Sequence, residues 1–310
     1  MKKIFSILLF SVLIAACSVS PQAPASNTDE DINTDTITTT FSVLNDVVKN
    51  IAPANVEVKS LMGVGLDPHE YTPTPSDIDL LSSSDMIFAV GLDLEASMDT
   101  LLDSLSKSKP VLKVGESLNE SKLIPAEEDA KLYDPHVWFD VDLWKDVSLS
   151  VKNTLLDYYP EQELEINTNF ENYLLELNEL DVYVDTKMQE LPVENRILVT
   201  AHDAFSYFAK KYDFELYTLQ GISTESDYSI KDLNDVVDTI VSKKVKSIFT
   251  ESSVSKQAIL TIQEKANEAD LEVKIGGELY SDSLGDIGSI HESYVDTFKH
   301  NVDIIVDNLK

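Results

Sequence analysis

Between Glu161 and Leu191 the chain carries neither glycine nor proline, in a sequence otherwise punctuated by short β-rich runs. Phe170, Leu174, Leu177, Leu180, Val184, Met188 and Leu191 recur there at spacings of three or four, which predicts one long helix with a single apolar stripe. Pro192 ends it, because its ring removes a backbone donor and blocks another turn. The chain has 310 residues, enough for about two domains of ~150 residues each. The helix lies between them. A helical connector makes a stiff hinge, unlike a Gly-rich linker that lets domains swing widely.

On both sides of it, short β-rich runs alternate with amphipathic stretches, the pattern of α/β layering. Strands are expected near Thr36–Ser42, Val56–Met62, Met86–Val90 and Val111–Val114, then near Arg196–Thr200, Glu215–Leu219, Ser247–Thr250 and Glu272–Ile275. Ile230–Lys243 and Lys256–Ala269 read as helices. The expected fold is α/β, with two β/α lobes at residues 36–158 and 193–310 and the connecting helix at 159–192.

The N-terminus has a different character. Met1-Lys2-Lys3 precedes a mostly apolar run from Ile4 to Ala16, too short for a mature membrane span. The run ends in Leu13-Ile14-Ala15-Ala16-Cys17, which resembles a bacterial lipoprotein cleavage site. Residues 1–16 are then a signal peptide, and Cys17 is the lipidated new terminus that anchors the chain outside the cytoplasm. Residues 17–35, rich in Ser, Pro, Asn, Thr and Asp, read as a solvated tether.

Charge narrows the partners. Lys and Arg number 24 against 55 Asp and Glu, a formal net charge of −31. Nucleic acid and anionic membrane faces are disfavoured, while a cation is welcome. Cys17 is the only cysteine, so intrachain disulfides and thiolate metal clusters are excluded.

The histidines say which cation. His69 lies in Gly65-Leu66-Asp67-Pro68-His69-Glu70-Tyr71 and His136 in Asp134-Pro135-His136-Val137-Trp138-Phe139-Asp140, two matched Asp-Pro-His contexts. His202 lies in Thr200-Ala201-His202-Asp203-Ala204-Phe205, where a strand runs out. Open α/β sheets bind ligands beyond the carboxyl ends of their strands. At intervals of 67 and 66 residues the three cannot form a local chelate, so they meet only in a cleft between the halves. Asp282 or Glu278, in Gly276-Gly277-Glu278-Leu279-Tyr280-Ser281-Asp282, would add a carboxylate from a loop after the last strand. Imidazoles with a carboxylate suit a first-row divalent ion. Asp67, Asp134, Asp140 and Asp203 stand close enough in sequence to orient the rings. His291 and His300 are read as surface residues of a terminal helix.

These motifs, with Leu219-Gln220-Gly221-Ile222-Ser223-Thr224, resemble the TroA-type metal receptors of bacterial ABC importers from about Thr36 to the C-terminus. The resemblance implies a monomeric receptor that holds Zn2+ or Mn2+ between two lobes and delivers it to an ABC permease. Carried over position by position, it implies His69 and His136 as ligands from the first lobe, and His202 and Asp282 from the second. Many manganese-selective relatives have glutamate where this chain has His202. Dedicated zinc receptors often carry a His-rich loop, and none stands between Glu116 and Lys131. Two other classes compete. A secreted zinc hydrolase would need an open coordination position, yet no His-Glu-x-x-His or Gly-x-Ser-x-Gly stretch occurs. A surface adhesin accounts for the tether but not for the paired Asp-Pro-His loops.

Overall fold

The computed structural model describes residues 34–126, 131–226 and 228–310. In the first half, β1 (Thr36–Thr39), β2 (Glu57–Ser60), β3 (Met86–Ala89) and β4 (Val111–Lys113) form one parallel sheet in the order β2-β1-β3-β4. Ile37 pairs with Val58 on one side and Met86 on the other, so the chain order reverses at β1. Helices α1 (Ser42–Ile51), α2 (Pro75–Ser83) and α3 (Asp99–Leu105) connect the strands. Ile37, Met86, Ile87 and Phe88 are fully buried, as expected of central parallel strands covered on both faces.

Helix α4 (Val141–Tyr158) leads to the long helix α5 (Glu163–Met188). At 1.5 Å per residue its 26 residues span about 39 Å. It is shorter than the Gly- and Pro-free run: Glu161 and Gln162 belong to a preceding 3-10 turn, and residues 189–191 lie past its end. Ile166, Phe170, Tyr173, Leu177, Leu180, Val184 and Met188 form its buried face. Arg196 closes the C-terminal end by donating to the carbonyls of Met188 (2.8 Å) and Leu191 (3.2 Å).

In the second half, β5 (Ile197–Thr200) pairs in parallel with β6 (Glu215–Thr218), and β7 (Ser247–Glu251) with β8 (Lys274–Leu279). β5 runs beside β7, yet the four strands form two ladders rather than one. Helices α6 (Ser206–Tyr212), α7 (Ile230–Lys243) and α8 (Gln257–Glu268) complete this half, and α9 (Tyr294–Leu309) returns to pack on α5 and β8. Gly276, Gly277 and Glu278, expected in a loop, lie inside β8. The register with β7 shifts between Ile248 and Phe249, leaving Gly276 as a bulge. A Cβ on Gly276 would stand 2.5 Å from Phe249 Cε1, so the glycine admits an aromatic ring against the strand.

One hydrophobic core runs from the first sheet through α4 and α5 into α6 and α9, and a smaller one fills the second half. Trp138 and Phe139 are the wedge of the larger core: Trp138 packs on Phe41 at 5.1 Å and Phe139 on Phe205 at 4.3 Å between ring centroids. Among the described residues no helix is long and apolar enough to cross a membrane.

Candidate metal centre

Above that wedge, four buried side chains converge. Two come from Asp-Pro-His turns built alike. Asp67 Oδ1 accepts the backbone N–H of His69 at 2.9 Å, and Asp134 Oδ1 accepts that of His136 at 2.9 Å. The carboxylate two residues back closes an Asx-type turn, and the intervening proline fixes its backbone. Asp134 also accepts from His136 Nδ1 at 2.7 Å, which leaves Nε2 facing the cleft. His202 follows β5 and Asp282 follows β8, each just beyond a strand end. Ser253 Oγ donates to Asp282 Oδ2 at 3.1 Å, and Trp138 Nε1 to the carbonyl of Ser281 at 2.9 Å.

The donors lie within 4.8 Å of one another. His69 Nε2 is 3.3 Å from His136 Nε2, His136 Nε2 is 3.4 Å from Asp282 Oδ1, and His202 Nε2 is 3.2 Å from Asp282 Oδ2. Ligands held 2.0–2.1 Å from a tetrahedral ion stand about 3.3–3.4 Å apart, so the spacing is that of a coordination shell. His136 and His202 are 0% exposed, Asp282 1% and His69 4%. Asp282 Oδ1 and His202 Nε2 are buried without a hydrogen-bond partner, although such atoms are normally satisfied. A cleft of about 320 Å³ opens beside His69, lined by Leu92, Tyr133, Asp203 and Gln220.

Electrostatics divide the four. Burial, and then the neighbouring His136, push the His69 imidazole down to about 3, so it is neutral and ready to donate a lone pair. Burial also opposes charge on His136, but Asp134 and then Asp282 outweigh it and hold the ring up to about 9. His202 is raised well above the usual range in the same way, burial being outweighed by Glu251 and Asp282. For Asp282 burial is outweighed by His202 and His136, which hold its carboxyl well below the usual range.

Residues 37–308 match the family described as zinc-uptake complex component A, periplasmic (ZnuA). The zinc-binding protein TroA of Treponema pallidum is 40% identical over 270 residues, 87% of each chain. The manganese-binding lipoprotein MntA of Bacillus subtilis is 38% identical, covering 88% of this chain and 89% of its own length. The solved structure of T. pallidum TroA superposes with a TM-score of 0.87, covering 89% of this chain and 99% of that one.

The chain belongs to the ZnuA family. The family comprises extracytoplasmic metal-binding receptors of ABC importers, as the motif resemblance implies.

Within this ZnuA-family chain the structure brings together all four residues singled out from the sequence. Glu278 is not among them; its carboxylate pairs instead with Lys256. Of the four aspartates expected to orient the rings, Asp134 does so directly, while Asp67 holds the His69 backbone. Asp140 caps α4 and pairs with Lys211 at 3.1 Å, and Asp203 accepts from Ser206. The partner of His202 is Glu251, which the sequence did not reveal. Its Oε2 lies 2.6 Å from His202 Nδ1, and its Oε1 accepts the backbone N–H groups of Ala201 (2.7 Å) and His202 (3.0 Å). Glu251 ends β7 with no motif around it; only the adjacency of β5 and β7 delivers it. The surface reading of His291 and His300 is corrected too. His291 lies before α9, not in it, and its ring stands 4.3 Å from that of His300, both half-buried beside Tyr280. Cys17 and the signal segment lie outside the described residues.

Proposed function

We propose that this receptor captures one Zn2+ or Mn2+ ion with His69, His136, His202 and Asp282 as its ligands and passes it to an ABC permease. The observation that carries the assignment is the convergence of three Nε2 atoms and the Asp282 carboxylate at coordination-shell spacing within a buried cleft. Imidazoles favour zinc and the carboxylate tolerates manganese, matching the spread of metals in the names of TroA and MntA. Four protein donors around one ion suit retention and handover; hydrolysis needs an open position for water. The chain works as a monomer of two lobes, residues 36–158 and 193–310, joined by the helix at 159–192. Cys17 is the lipid attachment point, read from Leu13-Ile14-Ala15-Ala16-Cys17.

The test is His136→Ala. Loss of one of four ligands, together with an Asp134 carboxylate left buried beside the gap, abolishes most metal affinity and the metal-induced rise in melting temperature. Zinc and manganese titrations unchanged in the variant would overturn the ligand set. Elemental analysis of chelator-free protein, followed by competition between the two ions, names the cargo.

A further inference from the structure

We infer that the hydrogen bond from Thr224 to Asp67 is a latch across the mouth of the cleft that sets how fast the ion leaves. The inference rests on the receptor reading above and concerns the same site. Thr224 Oγ1 donates to Asp67 Oδ2 at 2.6 Å, joining residues 157 apart in sequence and on opposite sides of the cleft.

Each end of the bond is tied to a ligand loop. Asp67 uses its other oxygen to hold the backbone of His69. On the far side, Leu219 and Gln220 donate their N–H groups to the carbonyl of Ala201, at 3.2 and 2.9 Å. Asp203 donates to the carbonyl of Gly221 at 3.2 Å, and the Gln220 side chain donates to the carbonyl of Thr224 at 3.2 Å. A continuous path therefore runs from His69 through Asp67, Thr224 and Gln220 to the residues flanking His202. No link in it is the ion. The His69 loop also meets the second half at another point. Gly65, at φ +75, lets the backbone descend until a Cβ there would lie 4.0 Å from the carbonyl of Ser252.

The base of the cleft is fastened differently. Tyr207 donates to the carbonyl of Asp134 at 2.8 Å, Tyr294 to that of Trp138 at 2.7 Å, and both bonds are buried within the shared core. Opening at the mouth therefore breaks the Asp67–Thr224 bond while the base holds. A buried threonine donating to a carboxylate makes a strong bond, and its acceptor is attached to the most exposed of the four ligands. Lifting the His69 loop, the step that admits water or a competing ligand to the ion, requires the latch to part.

The full chain, loaded with Zn2+ and mixed with excess chelator, reports the release rate by stopped flow. Thr224→Val keeps the shape and removes the donor, and releases Zn2+ about tenfold faster; Thr224→Ser restores the hydroxyl and stays within about twofold of the wild type. Should valine disturb the loop, shown by a lowered melting temperature of the ion-free protein, Thr224→Ala carries the same expectation. Wild-type release rates in the variants that lack the hydroxyl overturn the latch. A wild-type chain that takes up neither Zn2+ nor Mn2+ would instead overturn the receptor reading, so the two failures are distinguishable.

Discussion

Glu251 does for His202 what Asp134 does for His136: a buried carboxylate faces Nδ1 and leaves Nε2 to face the cleft. Such a partner orients the ring and raises its basicity toward a metal. Glu251→Gln keeps the side-chain length and an oxygen for the N–H groups of Ala201 and His202, but turns the charged acceptor beside Nδ1 into a neutral amide. Zinc affinity in the variant falls about 10–100-fold. Chelator competition measures it, and an unchanged urea midpoint for the ion-free chain separates ring orientation from general destabilisation. Wild-type affinity would mean that Glu251 serves the backbone alone. The four candidate ligands were legible because each sits in a short motif, and His202 and Asp282 stand just beyond strand ends, where α/β folds place their ligands. Glu251 was not legible, because its role depends on which strand lies beside which.

Helices were more legible than strand pairing, and for a physical reason. The stripe from Phe170 to Met188 is periodic within one segment, so α5 could be read locally, with its ends off by a few residues where turns tighten. Pairing is a contact between distant segments, and the division of the second half into two ladders has no local signature. The end of β8 was less legible. Gly276-Gly277, expected in a loop after the last strand, lies inside β8, where Phe249 fills the space beside Gly276 and Ile304 lies 2.9 Å from a Cβ built on Gly277. The histidine pair fails similarly: a surface place on one terminal helix was expected for both, but His291 precedes α9 and its ring packs on that of His300. Gly276→Ala tests the bulge. Its Cβ must displace the Phe249 ring, with the Asn308 Cβ 3.1 Å away on another side. The expected cost is about 1–3 kcal/mol of overpacking, seen as a lower urea midpoint. Metal affinity falls with it, since β8 delivers Asp282. Wild-type stability would mean that the ring moves aside freely.

At the scale of the molecule, what decides the motion is how the two halves are joined. A shared core passes through α4, α5, α6 and α9, and the Trp138–Phe139 wedge touches Phe41 of the first half and Phe205 of the second. On the flank, Lys211 of α6 reaches Asp140 (3.1 Å), Asp142 (2.9 Å) and Asp181 (3.2 Å), tying the second half to α4 and to the connecting helix. A half-buried cation among three carboxylates is a stronger fastening than a single exposed pair. Wide hinge closure, in which a few residues absorb a large change in backbone angles, would have to tear this base apart. Ion capture is therefore local, confined to the ligand loops and the mouth. A compact chain of the described size has a radius of gyration of ~19 Å, and saturating Zn2+ should change the value by less than ~1 Å in small-angle scattering. The same ion at a hundredfold excess over its dissociation constant stabilises the fold by about 2.7 kcal/mol, so the melting temperature rises clearly while the envelope stays still. A contraction of several ångströms on metal binding would show that the core beneath the site yields and that α5 bends as a hinge.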